Sequence, residues 1–345
     1  MTKRQFIFII ACFIQGSALY TMYYYHTIGN EAWISLICSI LIGMLVVYLY
    51  SALCQAHPSS CLVKINEEVY GKIPGKIISF LYIYTFIVSC SMTMREVFVL
   101  ACAWASNAGV RYFASVSTFT CISMYFFTLL LFLLLLPQIE LKHLLPIGEH
   151  SGSEYVKSIS LCTAMPFSEL AVLMILVPEL RDDKAKKGIW KQFVLGILAG
   201  SPFLIITVLR DTLVLGPLLN TFSYPSYEVI RLINYKMFSH IESLYGAFLI
   251  FLLFFKSAII FYCITKAFTQ IFDCQKNIVF TAFTVGLTML CTQQLCTSNI
   301  ALLEFVLNRI PYILLIVQVG LPLITLMISI IKNMVKCKAG GVKCG

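Results

Sequence analysis

The chain has 345 residues, 59% of them hydrophobic and 12% charged, and a formal net charge of +9. Soluble domains carry nearer a quarter charged residues, and a mean hydropathy of +0.88 cannot be reconciled with a solvated surface. The basic residues sit in short loops between apolar runs, without an interleaved aromatic stripe, which excludes nucleic acid as a partner and suits orientation in a lipid bilayer.

Nine apolar runs follow one another, at 5–25, 32–53, 77–104, 111–136, 159–180, 189–214, 241–270, 278–297 and 305–332. Each is long enough to cross roughly 30 Å of hydrocarbon, and isolated spans must be helices because lipid satisfies no backbone donor. The expectation is an all-α integral membrane protein with one polytopic domain, 1–336, and a short cytoplasmic tail, 337–345. Met1, Lys3 and Arg4 ahead of the first run superficially resemble a signal peptide, but the run continues past residue 20 without a small-residue cleavage site.

Loop charge orients the chain. The loop from His26 to Glu31 has no Lys or Arg, whereas 54–76 has Lys64, Lys72 and Lys76, and 181–191 has Arg181, Lys184, Lys186, Lys187 and Lys191. The positive-inside rule puts the N-terminus, both basic loops and the C-terminus in the cytoplasm. Parity then fails. Three crossings from a cytoplasmic start end outside, and 159–180 must also start outside, so 105–158 should cross an even number of times. Only 111–136 reads as a crossing. Either a weak crossing hides there, or 77–136 is divided more finely than the apolar pattern shows, or a span is missing. Between 220 and 240, Pro225 suits a helix start, and Val229, Ile230, Ile233 and Met237 form a stripe with Arg231 and Lys236 off it. This predicts a short amphipathic helix at the outer interface.

Intramembrane polar residues are candidates for function. Gln15, Gly16 and Ser17 fall in the middle of the first span. They serve either to unwind the helix and expose backbone groups to a ligand, or to pack a small residue against a neighbouring helix. Pro166, Phe167, Ser168 and Glu169 combine a helix-breaking proline with a mid-membrane carboxylate, which is either a functional group or a neutral, hydrogen-bonded structural one. Lys256 either pairs with a carboxylate such as Glu169 or snorkels. Arg95 and Glu96 are a weaker case. Ser89, Thr93 and Phe254 join the candidate ligand-binding set by polarity and position.

No nucleophile–His–acid set, Walker loop or dinucleotide turn is apparent, so an enzyme is not expected, and no cofactor or metal is called for. Most of the fourteen cysteines lie in apolar runs, where Cys behaves as a small hydrophobe. Cys291 and Cys296 either pair or stay as free thiols. Cys337 and Cys344 beside lysines would suit lipidation or mean nothing.

Several of these segments, in order, resemble the spore germination permease family, the B subunits of nutrient germinant receptors. They are Pro166–Phe167–Ser168–Glu169–Leu170, then Val177–Pro178–Glu179–Leu180 with the basic loop Arg181 to Lys187, then Phe222 to Pro225 with Ile230 to Ile233 and Phe238 to Glu242, and Phe254 to Tyr262. Leu144 to Ile147 with Gly152 is a weaker match. The resemblance covers 140–332 well; before that it rests on a Gln/Gly start to the first span and on Ala32–Trp33.

That resemblance implies a ten-span, LeuT-like inverted-repeat fold of the amino acid–polyamine–organocation superfamily, against nine spans read here. Spans one and six would be broken, with the ligand between them, at Gly16–Ser17 and Phe167–Ser168–Glu169. It also implies A-type and C-type partner subunits, a small nutrient ligand such as an amino acid, and the spore inner membrane. Two departures stand out. A Gly-x-Gly-like element is present only as Gly16–Ser17–Ala18, and the family's fourth span has no counterpart beyond Gly109–Val110–Arg111. Three functions stay open: a receptor subunit, an amino acid secondary transporter, and a degenerate paralogue that binds nothing.

Overall fold

The computed structural model describes residues 1–58, 60–93, 101–103, 105–106, 109–233, 241–274, 277–295 and 298–340. The described residues fold as helices: α1 Lys3–Gln15, α2 Thr21–Ile28, α3 Ala32–Ala56, α4 Leu62–Tyr70, α5 Lys72–Thr93, α6 Val110–Leu135, α7 Gly152–Cys162, α8 Asp183–Lys187, α9 Ile189–Leu215, α10 Pro225–Arg231, α11 Ile241–Ile271, α12 Asn277–Leu295, α13 Asn299–Asn308, α14 Ile310–Leu315 and α15 Leu321–Gly340. Among the described residues, eight helical stretches are long and apolar enough to cross a bilayer, and the first, Lys3–Ala56, has 54 residues, enough for two passes. All nine apolar runs are thus represented.

Hydrogen bonds fix which ends share a face. At one end the Met1 nitrogen donates to Glu179 O at 3.1 Å, Arg181 N donates to Met1 O at 3.1 Å, and Lys76 reaches Ile271 O. Lys332 at the start of the last helix's final turns donates to Val69 O at 2.5 Å, and His57 Nε2 lies 3.0 Å from Ser329 Oγ. This basic end is the cytoplasmic one. At the other end Asn30 donates to His143 O at 3.5 Å, and Glu140 N to Leu213 O at 3.0 Å. There the buried Glu31 carboxylate accepts from Gly148 N at 3.0 Å, Glu149 N at 3.3 Å and the Tyr155 hydroxyl. An exposed pair also stands at this outer end: Lys142 donates to Glu140 and holds its carboxyl below the ordinary carboxylate range.

This sidedness resolves the parity conflict. α5 leaves the cytoplasmic end. Its Cys90 thiol faces Ser257 O on α11 at 4.0 Å, and Cys102 faces Phe254 O, one helical turn away, at 3.7 Å. The chain is therefore back at nearly the same depth by Cys102. It has turned toward the cytoplasmic end by α6, where Arg111 lies in the neighbourhood of the Met1 amine and Phe113 packs on Phe255 and Tyr262 of α11, at 5.9 and 6.4 Å. From Lys72 to Arg111 there is no net crossing, so 77–136 is divided more finely than its apolar pattern shows. α6 then runs outward and the Gly152–Glu179 stretch inward, as the basic 181–191 loop requires. Arg95 and Glu96 lie outside the described residues.

α10 begins at Pro225, and Val229, Ile230 and Ile233 are buried. The apolar stripe is spent on protein: α10 packs against α9 and α11 while Arg231 stays exposed. Lys236 and Met237 lie outside the described residues. Cys291 is a free thiol; Cys296 and Cys344, and the side chain of Cys337, lie outside the described residues.

Candidate functional site

Two helices break at the same depth. In the first span α1 ends at Gln15, where Gly16 N still donates to Cys12 O at 2.9 Å, and a single 3₁₀ turn, Ala18–Tyr20, connects to α2. Gly16 is there for close approach. A Cβ at this position would lie 2.8 Å from Leu252 O and 2.9 Å from Lys256 Cβ, so only glycine lets α11 come this near. Of the two alternatives from sequence, close helix packing is the one Gly16 itself shows; its own backbone is still helical (φ −62°, ψ −8°), and the α-helix gives way just after it.

The second break follows α7. Residues Thr163–Phe167 form one wide π-type turn in which Met165 is extended (φ −126°, ψ 108°), and a 3₁₀ helix, Ser168–Glu179, carries the chain onward. Pro166 has no N–H to give to a continuous helix. Glu169 is thereby placed in the first turn of the new segment, at the end of a helix where the backbone dipole favours a carboxylate.

Lys256 joins the two breaks. Its Nζ donates to Ser17 Oγ at 2.7 Å and to Glu169 Oε2 at 2.5 Å. The ammonium also lies 4.3 Å from the ring centroid of Tyr20 and 5.0 Å from that of Phe13, within cation–π range. Lys256 and Ser17 are 0% exposed and Glu169 1%. Such a pair stands because each charge neutralises the other; removing one partner from a buried pair costs about 3–5 kcal/mol. Of the two sequence options for Lys256, pairing is the one realised. Two polar atoms at the site, Glu169 Oε1 and the Tyr20 hydroxyl, are buried without a hydrogen-bond partner. They are the atoms a bound ligand or water could satisfy.

The remaining candidates are dispersed. Gln15 points at α6, donating to Cys121 O at 3.5 Å. Phe167 presses on α3, where a Cβ on Gly43 would be 2.7 Å from Phe167 Cγ. Ser168 turns the other way and meets Gln318 Oε1 at 2.9 Å, while the Tyr50 hydroxyl lies 2.9 Å from Ser168 O and 2.7 Å from Gln318 O. Ser89 is buried, with its hydroxyl unpartnered and no hydrogen bond to Lys256 or Glu169. Phe254 is half-buried on the outer side of Lys256. The Thr93 side chain lies outside the described residues.

Sequence reasoning missed three groups. Tyr20 and Phe13 read as ordinary span residues. Gln318 sits in a π-type turn, Ile316–Gly320, inside the last span, and its position alone in an apolar run was the available signal. Arg210 and Asp211 are both 0% exposed near the outer end of α9; two adjacent charges some twenty residues into a span marked them. Among the described residues, no three His, Cys, Asp or Glu side chains converge as a metal site would require.

Comparison with known proteins agrees with the layout. The profile of the family described as "Spore germination protein" matches residues 1–105 and 97–301. Its two pieces overlap at 97–105, between α5 and α6. Spore germination protein KB of Bacillus subtilis (strain 168) is 23% identical over 342 residues, covering 91% of this chain and 90% of its own. With apolar helices that pass repeatedly between a basic and a non-basic end, this chain is a multi-pass membrane protein and belongs to the spore germination permease family.

Proposed function

We propose that the chain is the ligand-sensing subunit of a nutrient germinant receptor in the spore inner membrane, acting with A-type and C-type partner subunits. One observation carries this reading: Lys256 of α11 holds Ser17 and Glu169, which stand at the breaks of two separate spans, in a fully buried ion pair. An amino acid offers both charges at once. Its carboxylate can take the Lys256 ammonium and its ammonium can take Glu169, so that neither protein charge is left bare when the pair opens. Only a ligand that repays both can open a pair this deeply buried. Once open, the two half-helices are released from one another, and the new packing is the signal to the partner subunits. Ligand and signal are linked by the difference in ligand affinity between the closed and open packings.

Release of dipicolinic acid from spores tests this, using the twenty amino acids and glucose supplied singly. Deletion of the gene should abolish the response to at least one nutrient. The wild-type copy should restore it, and Glu169→Ala or Lys256→Met copies at equal protein level should not. Full restoration by both variants would refute the reading.

A transporter is the second reading, favoured by the paired broken helices and the buried carboxylate. Cells expressing this chain alone would then accumulate labelled amino acid, and the Glu169→Ala chain would not.

A further inference from the structure

Lys256 is not alone on α11 in holding a glutamate of the 3₁₀ helix Ser168–Glu179. Lys266 reaches Glu179 Oε1, which also accepts from the Tyr262 hydroxyl at 3.3 Å. Lys266 stands ten residues beyond Lys256, and Glu179 ten beyond Glu169, so the two elements carry two rungs in the same register. The rails between the rungs differ in length. Ten residues of α-helix rise about 15 Å, and ten of 3₁₀ helix about 20 Å. The 3₁₀ stretch is also pinned at both ends. Near the upper rung, Ser168 donates to Gln318 Oε1 at 2.9 Å and the Tyr50 hydroxyl to Ser168 O at 2.9 Å; near the lower, the Met1 nitrogen donates to Glu179 O at 3.1 Å.

Nothing between the pins asks for this conformation. Runs of 3₁₀ helix longer than three or four residues are uncommon, and this one has 12. Glu169, Leu170, Ala171, Leu173, Met174 and Leu176 are good α-helix formers, and Pro178 bars an α-helix only at the far end. Leu170 to Pro178 contains no polar side chain, and Ser168 to Val177 is buried along its whole length. The segment can therefore turn within its apolar sleeve without breaking a side-chain hydrogen bond between the two glutamates. Rewound as α-helix from Ser168 to Val177, it would shorten by about 0.5 Å per residue, roughly 5 Å in all. We infer that Ser168–Glu179 is a length switch, held long by its two rungs, and that Lys266–Glu179 is the latch that parts when it shortens, freeing Met1 and the basic loop after Leu180 at the cytoplasmic face. The inference rests on the receptor reading above only for what opens the upper rung; the coupling between the rungs belongs to the chain alone.

Hydrogen–deuterium exchange of the purified full chain in detergent tests the switch, because cutting one rung should be felt at the other. Lys266→Gln and Glu179→Gln change side chains that are 22% and 29% exposed, so the fold should survive either. Each should speed amide exchange across Ser168–Val177, as far as Glu169, by a factor of about ten or more, while α3 and α9 keep wild-type rates. Lys266→Arg, which keeps the charge, should keep wild-type rates throughout. Acceleration confined to the residues after Val177 would show the rungs to be independent, and acceleration over the whole chain would show general loosening; either overturns the switch. Spores give the second arm. Removing a contact made only in the long form favours the short one, so Lys266→Gln spores should release dipicolinic acid at a nutrient concentration about threefold or more below that of wild type, and Lys266→Arg spores should not. An unchanged threshold overturns the latch. If deletion of the gene leaves the response to all twenty amino acids and glucose intact, the receptor reading falls, and the exchange rates decide the switch by themselves.

Discussion

The Tyr25 hydroxyl donates to Oδ2 of Asp211 at 2.9 Å, tying α2, the outer half of the first broken span, to α9. The other carboxylate oxygen, Oδ1, is taken by Arg210 through Nε at 2.9 Å and Nη2 at 2.6 Å. Ser226 of α10 also donates to Asp211, and Arg210 lies 5.3 Å from the ring centroid of Tyr245 on α11. Four helices meet at this pair, and both residues are fully buried.

Asp211→Asn should therefore destabilise the protein severely. It strands a buried guanidinium and weakens two hydroxyl bonds, a loss on the order of 3–5 kcal/mol. The double change Arg210→Met with Asp211→Leu should be milder than Asp211→Asn, because no unpaired charge is left. Thermal unfolding of the wild type and the two variants in detergent decides it; equal losses for single and double variants would mean that packing, not charge, governs the site.

The same logic applies to Lys256 and Glu169, with a different readout. Lys256→Met and Glu169→Gln should each lower the unfolding temperature, and the double variant should lower it less than the two single losses added together. Spores carrying the double variant should still fail to respond to nutrient. A double variant that is stable and silent separates the role of the pair in signalling from its role in folding.

Gly16→Ala tests the close approach. Its Cβ would stand 2.8 Å from a backbone oxygen, Leu252 O, which cannot swing aside as a side chain can. Overpacking of this kind costs about 1–3 kcal/mol. A Gly16→Ala chain as stable as the wild type, with unchanged germination response, would show that α11 yields freely at this point.

Topology can be read with reporter fusions. Alkaline phosphatase, active only outside the cytoplasm, should be inactive when fused after Arg111 and active when fused after Ser151. A simple alternation of spans, with 77–104 as a full crossing, expects the reverse at both sites. Activity after Arg111 would contradict the return of the chain to the cytoplasmic face.

The apolar runs were legible because bilayer thickness leaves a coarse, unmistakable period, and loop charge then located a conflict within 77–158 without resolving it. The return of the chain to the cytoplasmic end by α6 was not legible, since an apolar run that makes no net crossing is as apolar as one that crosses. Glu169 and Lys256 stood out because a charge amid apolar residues has few explanations, and their pairing was among the options. The partners of Ser168 were invisible for the opposite reason: Gln318 and Tyr50 come from spans distant in sequence, and nothing local in either marks the meeting. Arg210 and Asp211 were passed over because they lie toward a span end, where charges are common, although the fold buries that end beneath α10.

At the outer end, Glu31 fastens the turn after α2 to the chain just before and within α7, and Thr27 meets Ser158 at 3.0 Å. At the cytoplasmic end, Met1 and Glu179 join α1 to the end of the 3₁₀ helix that follows the second break. The upper halves of the two interrupted spans are thus yoked to each other, as are the lower halves, and the two breaks lie between the yokes at the level of Lys256. The assembly is a lever with its fulcrum in the middle of the membrane. A displacement at that fulcrum would be felt at both yokes, and so at both faces of the membrane at once.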